Sequence, residues 1–183
     1  MPRCVWLLLV FVVLVPYACG LPRVYATAHA NGQAPSTVAH DNDGDIAPLT
    51  AGVVESVSGL IDQTTGVFTA PREGVYVVRG SVQFACIASQ CVLNEVWLWL
   101  AKKEVGGSWV KTGNGGVMDG TSAAYVYNKV SSNDNVENAA LTWMIELDAN
   151  EQIKLVGRAK SSSNSAWLWS VTGSTYMHVI SVD

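Results

Sequence analysis

The feature that most constrains this 183-residue chain is a succession of short apolar segments, separated by Gly, Ser and Asn clusters, that begins near residue 38. The segments are rich in Val, Ile, Trp, Tyr and Thr, which suit a pleated, half-buried surface. No segment keeps a helical period over ten residues. Roughly ten strands in about 145 residues predict an all-β sandwich or jelly roll. The candidate strands are residues 37–40, 53–58, 67–69, 74–85, 92–102, 109–112, 123–130, 139–147, 152–159, 166–172 and 175–182.

Two of these strands are apolar on both faces. In the first, Val96, Leu98 and Leu100 alternate with Trp97 and Trp99. One face of a sandwich strand packs into the core, so the other face must meet a loop, a subunit or a ligand. In the second strand, Trp143, Ile145 and Leu147 lie on one face. The other face carries Met144, and Glu146 makes it only partly apolar.

The N-terminus has the pattern of a secretory signal peptide. Arg3 precedes an unbroken apolar run at 5–15, Pro16 ends the run, and Ala18-Cys19-Gly20 offers small residues for cleavage. An uncleaved anchor or a lipid anchor on Cys19 fits less well, and Ala26-Thr27-Ala28 is a second candidate cleavage site. We therefore expect a secreted, extracellular protein with no membrane insertion after cleavage.

This interpretation divides the chain into three parts. Residues 1–20 are the signal peptide, 21–37 an aperiodic, flexible N-terminal arm, and 38–183 the β domain.

The composition limits the classes of partner. Hydrophobic residues make up 49% of the chain and charged residues 14%, with a formal net charge of -4. Soluble proteins average about 25% charged residues. Nucleic-acid binding needs clustered cations, so we expect no nucleic-acid partner. The low charge indicates either surface buried against partners or loops rich in Ser, Thr and Asn.

Two cysteines, Cys86 and Cys91, remain after signal removal. An even pair in an oxidising compartment predicts a disulfide, and the short loop suggests roughly 2 kcal/mol of stabilisation. Half of a zinc site is the alternative, but it would need further nearby Cys or His ligands.

The spacing of Phe68, Gly74 and Tyr76 resembles the signature of the complement C1q globular-head family. Weaker likenesses at 96–103, 145–155 and 173–180 extend the resemblance over most of residues 38–183. It implies a ten-stranded jelly roll that forms compact trimers, related in shape to tumour necrosis factor ligands, and it implies no enzymatic activity. In that fold Phe68, Gly74 and Tyr76 are expected to serve core or trimer packing. We expect the same of Tyr176, in the core or at the trimer axis.

The candidate ligand-binding residues are four tryptophans in two Trp-Leu-Trp motifs and one loop asparagine. The tryptophans could stack on a sugar or grip a protein, or they could simply pack against neighbouring strands or subunits. The asparagine lies in a serine-rich stretch that could equally be a plain loop. These residues are Trp97, Trp99, Trp167, Trp169 and Asn164.

The acidic stretch at 41–45 is a candidate calcium loop, but its order departs from the EF-hand pattern, and a solvated acidic turn is the simpler interpretation. We assign no metal site and no cofactor, and calcium remains an unsupported alternative. The sequence contains no nucleophile triad, phosphate loop or dinucleotide motif, so no enzyme is expected.

Taken with the resemblance, these features predict a secreted, homotrimeric binding module. It would recognise glycans, microbial surfaces or protein partners multivalently, in a lectin-like role in innate immunity. The alternative is an extracellular structural or signalling trimer that engages a protein receptor.

Overall fold

The computed structural model describes residues 23–29, 37–38, 43–45, 50–51, 59–86, 93–112, 125–129, 136–161, 167–169 and 175–182. Every regular element in these ranges is a β-strand, which confirms the predicted all-β class. The strands, in chain order, are β1 (Tyr25–His29), β2 (Thr37–Val38), β3 (Gly44–Asp45), β4 (Thr50–Ala51), β5 (Ile61–Asp62), β6 (Val67–Thr69), β7 (Gly74–Cys86), β8 (Leu93–Lys103), β9 (Val110–Lys111), β10 (Tyr125–Lys129), β11 (Val136–Leu147), β12 (Gln152–Ser161), β13 (Trp167–Trp169) and β14 (Tyr176–Ser181).

The strands form two antiparallel sheets. The first sheet has the order β2-β13-β7-β14-β1-β4, and β11 also pairs with β7. The second sheet has the order β10-β8-β12-β6-β5, with β3 on β12 and β9 on β8. Strands distant in sequence are neighbours in both sheets, as in the predicted jelly roll.

The core lies between the sheets because each long strand alternates apolar inward residues with outward ones. The rings of Phe68 and Tyr76 are fully buried and meet edge to face, with centroids 5.7 Å apart. The Tyr76 hydroxyl donates a hydrogen bond to the Arg72 carbonyl at 2.8 Å, which satisfies its polar end. Gly74 begins β7.

The N-terminal arm is a correction to the sequence analysis. Residues 25–29, expected to be flexible, form β1, which pairs with β14 along its whole length and with β4. Ala26 and Ala28 enter the core. The strand pattern escaped detection because its inward residues are small alanines, whose apolar contrast with their neighbours is weak. The folded domain therefore begins well before residue 38.

Two hydrogen bonds fix the entry into β1. The Val24 amide donates to the Ser181 hydroxyl at 2.7 Å, and the Ser181 amide donates to the Val24 carbonyl at 2.8 Å. The first described residues are thus tied to the end of β14.

Candidate interaction surfaces

The outward side of the first sheet, formed by β11, β7, β14 and β1, is called here the first-sheet outer face. One row across it is apolar, because strand register sets Val77 between Met144 and Ile180. Tyr25 continues this row opposite Ile180. Four neighbouring strands therefore present apolar or aromatic side chains side by side.

Much of this apolar surface is open to solvent in the single chain. Met144 is 64% exposed, Val182 53% and Val75 36%. Val75 lies beside Val182, whose amide donates to the Val75 carbonyl at 2.9 Å. Contiguous exposed apolar surface is typical of an interaction site rather than of a free surface.

The adjacent row of the same face is polar. Here Arg79 pairs with Thr142 on one side and with His178 on the other, and His178 pairs with Thr27. The first-sheet outer face thus combines exposed apolar side chains with polar and titratable groups.

Three rings gather at this polar row. The ring of His178 lies 5.1 Å from that of His29 and 4.5 Å from that of Tyr176, measured between centroids. Thr27 Oγ1 and His29 Nε2 are hydrogen-bonded at 3.1 Å. Burial, the neighbouring His29 and the Arg79 charge together lower the pKa of His178.

The sequence does not predict that His29 and His178 lie together, because His29 falls within residues 21–37, the predicted flexible arm. Recognising β1 as a strand paired with the last strand would have placed both histidines on one face. The cluster also locates Tyr176 on the outer face, since Met177 and Val179 are the core residues of β14. A core position for Tyr176 is therefore wrong, and a position at a trimer contact stays a prediction.

The outward side of the second sheet, called here the second-sheet outer face, carries Trp97 and Trp99. Their rings are parallel, with centroids 6.5 Å apart. Trp99 is only 5% exposed and packs with Ala101 and Val156 in a small cluster separate from the core; Trp97 and Trp109 border this cluster. The second face of β8 is thus partly covered by the chain itself.

Cations lie over these rings. Lys111 Nζ is 4.3 Å from the Trp99 ring centroid, and the Arg158 guanidinium is 5.2 Å from that of Trp97. Such contacts stabilise the cation electrostatically through the ring quadrupole.

Within the acidic stretch 41–45, the described residues 43–45 contribute to this face. The Asp43 carboxylate forms an ion pair with Lys111, and β3 pairs with Val156 and Gly157 of β12. Asp43 therefore neutralises the charge of Lys111, one of the cations of this face. The simpler interpretation of the stretch as a solvated acidic turn does not account for this ion pair.

The remaining predicted residues are only partly within the described ranges. Trp167 and Trp169 belong to β13, where Trp167 pairs with Val38 and with Cys86. Cys91 and Asn164 lie outside the described residues, so the proposed disulfide and the loop site stay predictions.

Within the part of the chain that the structure describes, no three His, Cys, Asp or Glu side chains are grouped to hold a metal ion. In that same part, no helix has the length and apolar character needed to cross a bilayer.

Comparison with known proteins relates the chain by fold. No protein-family model matches it, and no curated protein does. Eiger TNF from S. frugiperda is similar in structure, with a TM-score of 0.61 and 11% identity over 89% of this chain and 94% of that one. The chain folds as a tumour necrosis factor-like jelly roll.

Murine APRIL gives the same result for this jelly roll. The crystal structure at pH 5.0 has a TM-score of 0.60 and 10% identity, covering 88% of this chain and all of that one. The structure at pH 8.5 has a TM-score of 0.58 and 9% identity with the same coverage. Identities this low relate the folds alone, so the C1q-specific resemblance remains a sequence-based prediction.

Proposed function

We propose that this protein is an extracellular homotrimer that assembles through its first-sheet outer face and binds a protein partner. The observation that carries the proposal is the exposed apolar surface of Val75, Met144 and Val182 on one face of a tumour necrosis factor-like jelly roll. Burying such a face between subunits gains about 25 cal/mol per Å² of apolar area. The compact trimers implied by the sequence resemblance supply a use for it.

A protein partner is the better-supported ligand class. Eiger TNF and APRIL, named in the similar structures, point to the ligand-type alternative rather than to a lectin. Stacking on a sugar also requires an open aromatic face, whereas Trp99 is buried and lies under Lys111. We therefore place glycan recognition second to a protein receptor.

Assembly explains how modest contacts could give firm binding. Three identical sites on one rigid head raise the effective concentration for the second and third contacts, so avidity can exceed single-site affinity by about 10²–10⁴-fold. The trimer is thus both the assembled form and the basis of recognition.

The test is the mass and the binding of the mature protein. Light scattering at pH 7.5 should give the mass of three chains, and Met144→Glu should give one chain, because it introduces a charge into the apolar contact. Val105→Glu is the matched control: Val105 is 69% exposed but lies in the β8–β9 turn, so this variant should remain trimeric. A single-chain mass for the wild type would overturn the proposal.

The same proteins test the ligand class against displayed receptor ectodomains and a glycan array. We expect a receptor hit that weakens about 100-fold in Met144→Glu through lost avidity, and a silent array. Reproducible glycan binding that Trp97→Ala abolishes, with no receptor hit, would instead favour the lectin function.

A further inference from the structure

We propose that His29 and His178 make assembly through the first-sheet outer face reversible, so that the trimer dissociates at mildly acidic pH. The inference rests on the proposed trimer and adds the regulation of its contact surface. Its basis is the convergence of two histidines and an arginine on the face where subunits would meet.

The two histidines come from opposite ends of the chain. β1 carries His29 and β14 carries His178, and antiparallel pairing of these strands brings the two rings within 5.1 Å. Imidazole is the side chain whose charge changes between about pH 5 and 8. The proposed contact face therefore holds two of these side chains next to each other.

Each element packed beside His178 contributes to its electrostatic surroundings. β1 adds His29 and, farther along the face, Tyr25; β14 adds Tyr176; and β7 adds Arg79 as the direct cross-strand neighbour. β4 brings Thr50 and Ala51, which have no ionisable group. No carboxylate belongs to this group.

β11 carries two carboxylates, Glu137 and Glu146, and neither of them pairs with Arg79; Glu137 pairs with Phe84. Glu146 pairs with Val75, whereas Thr142 pairs with Arg79, so Glu146 lies two rows away along the sheet. Protonation of His178 thus adds positive charge beside Arg79, and among the described residues no carboxylate pairs with His178 or with Arg79 to offset it.

The surroundings of His178 also destabilise its charged form. Its Nε2 is buried and has no hydrogen-bond partner among the described residues. An unsatisfied buried polar atom is costly, and a buried charge is more so. Covering this face with another subunit removes still more water from the ring and raises that cost.

The direction of the pH effect follows from linkage. Burial, His29 and Arg79 already lower the pKa of His178 below its ordinary value of 6.5 in the single chain, and assembly would lower it further. The trimer then binds fewer protons than the free chains, so acidification through the lowered pKa that His178 has in the free chain favours dissociation. A difference of one pKa unit changes the equilibrium about tenfold per subunit, or about a thousandfold for three.

The experiment compares oligomeric mass at pH 7.5 and pH 5.0 by analytical ultracentrifugation, with far-UV circular dichroism to verify that the fold persists. We expect wild-type trimer at pH 7.5 and folded single chains at pH 5.0. His178→Gln, which cannot titrate, should stay trimeric at both values. If that variant does not fold, His29→Gln serves in its place and should retain at least part of the trimer at pH 5.0.

His40→Gln is the control, because it removes the same group from another part of the chain and should dissociate like the wild type. A wild type that is trimeric at both pH values overturns this inference and leaves the proposed trimer standing. A wild type that is monomeric at both overturns the trimer itself. Acid dissociation that persists in His178→Gln and His29→Gln, or that His40→Gln abolishes, also rejects the assignment.

Discussion

At the scale of single residues, Gly80 lies where the two sheets pack closely against each other. A β-carbon there would lie 2.7 Å and 2.8 Å from the two δ-methyl carbons of Leu155, and Leu155 is itself fully packed in the core. We therefore expect Gly80→Ala to lower the free energy of unfolding by about 1–3 kcal/mol through overpacking.

Chemical denaturation of the purified protein measures this change. Ser108→Val, which adds more volume at an exposed turn position, should alter stability by less than about 0.5 kcal/mol. Equal stability of Gly80→Ala and wild type would show that Leu155 can move aside at no cost.

The turn between β11 and β12 shows what a sequence can predict for individual residues. The sequence resemblance covers residues 145–155, but it could not assign roles to Asn150 and Glu151. Asn150 has a φ of 70°, a left-handed conformation that asparagine tolerates better than most residues. The Glu151 carboxylate is buried, accepts a hydrogen bond from the Asp148 amide at 2.8 Å and pairs with Lys102 at 2.6 Å. The partners come from the fold, and no spacing in the sequence points to them.

At the scale of elements, β1 joins β14 to the short edge strand of the first sheet. It lies between β14 and β4, and Ala26 and Ala28 close the core beneath it. A chain that begins at residue 30 should therefore lose cooperative unfolding and expose the edge of β14, whereas a chain that begins at Leu21 should fold. Thermal unfolding followed by circular dichroism distinguishes the two.

The same experiment bears on signal cleavage. Removal after Ala28 would delete most of β1, so we expect the secreted protein to begin near Leu21, as intact mass would show. A stable, cooperatively folding chain that begins at residue 30 would contradict the importance of β1.

Elements with strong alternation were predictable, and those without it were not. In β8 and β11 large apolar residues recur every second position, and that period alone indicates which face is buried. β1 has alanines at its inward positions, so its period carries little signal. The histidine cluster was missed for that reason, because its geometry depends on which strand lies beside β14.

At the scale of the whole molecule, the two outer faces account for the low charge in different ways. The first-sheet outer face leaves the apolar side chains of Met144 and Val182 exposed. The second-sheet outer face instead covers Trp99 with Lys111 and offsets that cation with Asp43. In the single chain, side chains of the chain itself cover Trp99 on the second-sheet outer face, whereas apolar side chains of the first-sheet outer face stay exposed. The sequence indicates that a strand with apolar residues on both faces needs a packing partner on each face. Only the arrangement of the strands shows on which face the single chain supplies no such partner for the described residues.

If exposed apolar surface is buried by assembly of subunits, the thermal stability of the protein depends on its concentration. A partner subunit that binds the folded state and not the unfolded state stabilises the fold by mass action. At pH 7.5 we expect the midpoint of thermal unfolding to rise with protein concentration over a 100-fold range. At pH 5.0, where we expect folded single chains, the midpoint should be lower and independent of concentration. Met144→Glu should show no concentration dependence at either pH, because its folded state has no partner to bind. A wild-type midpoint that stays constant at pH 7.5 would mean that the exposed apolar rows are not closed by a second copy, whatever else covers them.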